Sequence, residues 1–124
     1  MKTLVTGAAG FIGMHVAERL LSMGHEVVGL DNLNDYYDVS LKESRLARLQ
    51  ALSGFSFQRV DLSDDAAMRE VFAQGRFSHV VHLGAQAGVR YSLTHPHVYI
   101  DSNVRGTLNV LEGCRAQGIE HLVF

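Results

Sequence analysis

The chain has 124 residues, 47% of them hydrophobic, a formal charge of −2 at pH 7 and a pI near 6.4. That length and apolar content suit one domain with a real core and leave two crowded. Lys and Arg are scattered, so there is no basic field for nucleic acid. No stretch reaches the length of a membrane span, glycines interrupt the opening apolar run of a would-be signal peptide, and Cys114, the only cysteine, has no partner for an intrachain disulfide. The expectation is a soluble cytoplasmic protein with no nucleic-acid and no membrane partner.

Lys2 to Thr6 reads as a buried strand, and Phe11 to Met23 as a helix whose apolar face is Ile12, Val16, Ala17, Leu20 and Leu21. Between them lie Gly7, Gly10 and Gly13. Gly7 permits a tight turn, Gly10 lets a ligand oxygen approach the backbone, and Gly13 lets the helix close on the strand. A helix start there offers unpaired N–H groups and a positive dipole end to a pyrophosphate. The spacing is G-x-x-G-x-x-G rather than the G-x-G-x-x-G of many dehydrogenases. Context strengthens it: Gly24 caps the helix, and a second strand, His25 to Leu30, ends in Asp31, the acidic residue expected about 20 residues on. The pattern points to a dinucleotide site.

A polar loop, Asn32 to Asp38, leads to Ser40-Leu41-Lys42-Glu43, the capping-box pattern of a second helix with an inward stripe of Leu46, Leu49 and Leu52, ended by Gly54. Phe55 to Val60 is a third strand. Asp61-Leu62-Ser63 opens onto a third helix, with Asp64 and Asp65 in its first turn, Met68, Val71 and Phe72 inward, and Gly75 at its close. Ser78 to Leu83 is a fourth strand, followed by the small-residue loop Gly84 to Gly88. Pro96 starts a long fourth helix reaching Gln117, Gly118 caps it, and Ile119 to Phe124 forms a fifth strand. On the long helix Asn103 shares a stripe with Gly106, Thr107, Val110 and Cys114; it serves either the cofactor or a structural bond.

Alternating strands and helices define an α/β fold, a Rossmann-like doubly wound parallel sheet in the order 3-2-1-4-5 over residues 1–124. Ligands then collect at the carboxyl ends of the strands, near Gly7, Asp31, Asp61 and Gly84. The chain stops inside an apolar strand, which reads as the N-terminal fragment of a longer protein. The seven histidines do not form a metal site: His79 and His82 point to opposite faces of a strand, and His95 and His97 straddle a helix start. Cys114 reads as core, and Arg45 and Arg48 as a solvated face.

Five stretches in order, Thr6-Gly7-Ala8-Ala9-Gly10-Phe11-Ile12-Gly13, Leu30-Asp31-Asn32-Leu33, Val60-Asp61-Leu62, His82 to Arg90, and Asp101 to Thr107, resemble the extended short-chain dehydrogenase/reductases. Within them the chain resembles the NAD-dependent nucleotide-sugar epimerases and dehydratases, and Ala87-Gly88-Val89-Arg90-Tyr91-Ser92 is most similar to the UDP-glucuronate 4-epimerases. The resemblance implies NAD as cofactor, transient oxidation of a nucleotide sugar at C4, and hydride return to the other face. It places Gly7, Gly10, Phe11, Ile12 and Gly13 at the pyrophosphate and Asp31 and Asn32 at the adenosine ribose. It also puts Asp61 and Leu62 beside the adenine, and Leu83, Gly84, Ala85 and Ala87 towards the nicotinamide. Arg90 is the candidate substrate-binding residue, for the sugar carboxylate. The family's Tyr-x-x-x-Lys pair has no match: four residues after Tyr36, Tyr37, Tyr91 and Tyr99 come Ser40, Leu41, His95 and Asn103. No catalytic residue is therefore assigned, and the 124-residue chain is expected to be inactive, with the substrate domain also missing. A non-catalytic dinucleotide-sensing module is the alternative, as is a related dehydratase or reductase, and a homodimer stays open.

Overall fold

The computed structural model describes residues 1–124. Five parallel strands, β1 (Lys2–Thr6), β2 (Glu26–Asp31), β3 (Phe55–Arg59), β4 (His79–His82) and β5 (His121–Val123), form one sheet in the order β3-β2-β1-β4-β5. This is the Rossmann-like arrangement expected from the alternating pattern. Helices α1 (Phe11–Ser22) and α2 (Val39–Gln50) follow β1 and β2, and α3 (Asp65–Gly75) follows β3. After β4 come two short helices, α4 (Val89–Ser92) and α5 (Pro96–Tyr99), a π-helical stretch (Ile100–Arg105) and α6 (Gly106–Gln117). No helix is long and apolar enough to cross a membrane.

The strands bury both faces, as a parallel sheet must. Leu4, Val28, Leu30 and Val80 pack with Met68, Val71 and Phe72 of α3 and Val110 of α6, whereas Val5 and Val27 pack on the opposite face with Met14 and Ala17 of α1 and Leu49 of α2. Cys114 packs against the first cluster, and burial pushes its thiol pKa up, as suits a core residue rather than a nucleophile. Crossing from β1 to β2 runs one way along the sheet and from β3 to β4 the other, so the chain reverses between β1 and β4. The loops leaving these two strands diverge there and open a crevice.

Several local expectations change. In α1 the inward residue is Met14, while Ile12 is 63% exposed, because Gly13 presses on the Gly7 carbonyl and fixes the rotation of the helix. In α2 the cap is Asp38, whose carboxylate accepts from the Ser40 N–H at 2.9 Å, and the inward stripe is Lys42, Leu46 and Leu49, with Leu52 exposed. Helix α3 is capped by Asp64, which accepts from the Ala67 N–H. Its left-handed end is Arg76 (φ 52°); Gly75 is needed because a Cβ there would enter the Phe77 ring. The long fourth helix holds one continuous path but passes through a π-helical stretch, and an additional short helix, α4, precedes it.

Candidate functional site

The carboxyl ends of β1 to β4 surround a crevice with a cavity volume of about 170 Å³. The turn after β1 builds one wall. Gly7, at φ 72°, is tied down by its N–H donating to the Leu30 carbonyl at 2.8 Å, and Gly10 closes the turn by donating to the Gly7 carbonyl. A Cβ at Gly7 would stand 2.8 Å from the Gly84 nitrogen, so this glycine serves both the left-handed turn and the approach of the β4 loop. Gly10 is the N-cap of α1 and supplies no side chain, so the first-turn N–H groups of Phe11, Ile12 and Gly13 carry no side-chain cap.

Asp31, at the end of β2, is 8% exposed. One carboxylate oxygen accepts from the Ala9 N–H at 3.1 Å and the other from the Leu33 N–H at 2.8 Å, so the turn after β1 and the loop after β2 are joined through it. Asn32 donates to Asp61 across the crevice at 3.4 Å. Burial pulls the Asp61 carboxyl upward, but hydrogen bonds from the Ser63 hydroxyl and N–H, with that of Asn32, outweigh it and leave the group below the usual carboxylate value.

Of the residues assigned from the sequence, Gly7, Gly10, Asp31, Asn32, Asp61, Leu62, Leu83, Gly84, Ala85 and Ala87 line this one crevice. Phe11 and Ile12 lie outside the lining, 66% and 63% exposed. Gly13 is buried and does not line it; a Cβ there would overlap the Gly7 carbonyl oxygen, so the absence of a side chain lets α1 pack on the turn. Asn103 is likewise outside the lining. It accepts from the Gln86 N–H at 2.8 Å and donates to the Gln86 carbonyl at 3.0 Å, a two-point clamp that holds the β4 loop in place. The structural bond expected as one alternative for Asn103 is present. Arg90 sits exposed on α4, outside the crevice lining.

Besides Gln86 and Ser102, sequence reasoning missed four polar or aromatic lining residues, Asn34, Tyr36, Tyr37 and Lys42. They come from the loop after β2 folding back over the start of α2. Lys42 donates to Asn34 Oδ1 at 2.9 Å and lies 4.9 Å over the Tyr37 ring. Tyr36 meets Tyr91 of the β4 loop edge to face, with centroids 4.8 Å apart, so the two loops touch over the crevice. Arg45 is half-buried, donating to the Ala9 carbonyl at 3.3 Å and the Tyr37 hydroxyl at 3.0 Å, whereas Arg48 lies on the solvated face as expected, 61% exposed and paired with Glu18 at 2.6 Å. The signal available was the i, i+3 spacing of Lys42 and Arg45 beside an aromatic loop.

Strand-end loops of this kind around a topological switch point define a nucleotide-binding α/β protein. Residues 3–124 match the NAD dependent epimerase/dehydratase family, and the chain belongs to that family. It is 58% identical over 124 residues to an uncharacterized 37.6 kDa protein in the cld 5' region of Escherichia coli O111:H-, covering 100% of this chain and 37% of that one. It is 50% identical over 120 residues to the UDP-glucuronate 4-epimerase of Thermodesulfobacterium geofontis, covering 97% of this chain and 37% of the relative. The crystal structure of the UDP-glucuronic acid 4-epimerase of Bacillus cereus, in complex with UDP-glucuronic acid and NAD, superposes with a TM-score of 0.88 at 33% identity, covering 98% of this chain and 38% of that one. The chain thus spans little more than a third of the length of these relatives.

Proposed function

We propose that residues 1–124 are the NAD-binding part of a nucleotide-sugar 4-epimerase that acts on UDP-glucuronate and UDP-galacturonate. The observation that carries this reading is the crevice itself: an uncapped helix start behind a glycine turn, faced by a buried Asp31 whose carboxylate is locked by two backbone N–H groups. The donor set fits the cofactor. The N–H groups of Phe11, Ile12 and Gly13 suit a pyrophosphate, Asp31 an adenosine ribose, and Asp61 an adenine amino group, with Leu62 against the ring. Leu83, Gly84, Ala85 and Ala87 leave the backbone of the β4 loop close to the nicotinamide end. When bound, NAD supplies a hydride acceptor and donor for the sugar's C4. The chain's own residues bind and orient it, and Asn103 fixes the β4 loop through Gln86. Arg90 is the proposed holder of the sugar carboxylate, because a guanidinium meets a carboxylate with two parallel hydrogen bonds. A cytoplasmic setting suits the free, half-buried Cys114.

Proton transfer at the sugar hydroxyl needs a positioned acid-base pair. Lys42 lies over the ring face of Tyr37 rather than at its hydroxyl, so the two do not supply that pair. The test is a pair of assays with saturating NAD and UDP-glucuronate. The 124-residue chain should give no UDP-galacturonate, and the product of the source gene's complete reading frame should interconvert the two sugars. Turnover by the chain alone, or none by the complete product, would contradict the reading.

A further inference from the structure

We propose that His82 is a positioning residue for the cofactor: by taking the Thr6 hydroxyl proton at Nδ1, it leaves the Thr6 oxygen free to hold the β4 loop in its binding shape. The proposal rests on the dinucleotide reading above, in which that loop is the wall at the nicotinamide end. Thr6 ends β1 fully buried, and His82, its register partner, ends β4 at 7% exposure. Neither lines the crevice, so any effect on a ligand passes through the loop that they hold.

Two clamps fix that loop. Asn103 holds it at Gln86, and Thr6 holds its start. The Leu83 N–H is shared between the Thr6 carbonyl at 3.2 Å and Thr6 Oγ1 at 3.0 Å, whereas the Gly84 N–H goes to Thr6 Oγ1 alone, at 3.0 Å. A hydroxyl has two lone pairs and one proton, and both lone pairs are spent here, so the proton needs an acceptor. His82 Nδ1, 2.6 Å away, supplies it. Burial lowers the pKa of the ring and keeps it neutral, and Thr107 Oγ1, 3.0 Å from Nε2, takes the proton on the other nitrogen, which leaves Nδ1 a bare lone pair. The fit has no slack. A Cβ at Gly84 would stand 3.2 Å from Thr6 Oγ1 and 2.8 Å from Leu62 Cδ1, and one at Gly7 would stand 2.8 Å from the Gly84 nitrogen. Without an acceptor at the Nδ1 position the Thr6 hydroxyl must turn its proton towards the loop's own N–H groups, and donor then faces donor. The Gly84 amide loses its partner, and the loop loosens beside the cofactor.

The experiment separates the two ends of the ring. In His82→Asn the amide oxygen stands where Nδ1 stands, two bonds from Cβ, and accepts from Thr6; in His82→Gln the polar group moves out to the Nε2 end and meets Thr107 instead. NAD and ADP are titrated calorimetrically into the wild-type chain and both variants, with circular dichroism confirming each fold and amide hydrogen exchange read at Gly84. His82→Asn should bind NAD within about threefold of the wild type and keep Gly84 protected. His82→Gln should bind NAD about tenfold or more weakly, lose the protection at Gly84, and hardly change its affinity for ADP, which lacks the nicotinamide half. Equal NAD affinities of the two variants, or an equal loss of NAD and ADP in His82→Gln, would make His82 a packing residue and overturn the proposal. A wild-type ring found protonated at Nδ1 by long-range proton–nitrogen NMR would overturn it without any variant. Should either variant not fold, Thr6→Ser and Thr6→Val take their place, the hydroxyl kept in one and lost in the other, with the same two outcomes. Failure of the folded wild type to bind either NAD or ADP would sink the dinucleotide reading and this proposal together; binding without the split sinks this proposal alone.

Discussion

Thr6 Oγ1 and His82 Nδ1 lie 2.6 Å apart beneath the crevice, and the surrounding bonds assign the protons. Thr6 Oγ1 already accepts from the Leu83 and Gly84 N–H groups at 3.0 Å each, so its own proton goes to Nδ1. Nε2 then carries the ring proton and donates to Thr107 Oγ1 at 3.0 Å. The ring is neutral, and burial holds its pKa below the usual histidine value. This chain of bonds ties β1, the β4 loop and α6 together under the crevice.

The first prediction is an acid-sensitive stability set by His82. With the folded pKa lowered, the unfolded chain protonates first. Stability is therefore full above the unfolded value of about 6.5 and declines as pH falls below it towards the folded value. Urea unfolding from about pH 8 to about pH 5 should show this decline, and His82→Gln should flatten part of it. Identical profiles for the two proteins would contradict the assignment.

Gly10 and Gly13 should separate binding from folding. A Cβ at Gly10 meets only the Gly7 carbonyl oxygen, at 3.1 Å, whereas one at Gly13 would overlap that oxygen and crowd the Ala8 backbone. Gly13→Ala should therefore destabilise the chain by about 1–3 kcal/mol or more. Gly10→Val should leave a folded protein that no longer binds NAD, its side chain occupying the place of a phosphate oxygen. Thermal melts and NAD titrations on the same samples test both; a well-folded Gly10→Val with wild-type affinity would remove Gly10 from the site.

Asp31 should select NAD over NADP. Loss of its charge-assisted bonds to a ribose is worth about 1.5–3 kcal/mol, before repulsion of a 2′-phosphate is added. Asp31→Asn should weaken NAD by roughly ten- to a hundredfold. It should narrow the gap to NADP, because the buried ammonium of Lys42 remains beside the position. Equal affinity of the wild type for both cofactors would refute the assignment.

Arg90 is tested in the complete enzyme. Arg90→Met should lower kcat/KM for UDP-glucuronate by an amount on the order of 2–4 kcal/mol, with NAD affinity hardly moved. A fall in NAD affinity instead would assign the residue to the cofactor, and no change in either would mean that the sugar carboxylate is read elsewhere.

The sheet order and the glycine turn were legible because local signals and long-range pairing agree there: apolar runs, glycines at the turns, and a carboxylate at the end of β2. The parts that were not legible depend on how one element rests on another. The outward turn of Ile12 follows from Gly13 pressing on Gly7, a contact invisible to helical periodicity. Asn103 was read against regular helical spacing, yet it lies in a π-helical stretch and spends its amide on the Gln86 backbone. Lys42 carries the composition of a solvated helix start, and only the folding of Asn34 and Tyr37 over it makes it part of the crevice.

The most direct test of the central claim is a calorimetric titration of NAD into the purified 124-residue chain, its fold confirmed by circular dichroism. The account predicts saturable binding of one NAD per chain, lost in Gly10→Val. A folded chain that shows no saturable heat with NAD would contradict it.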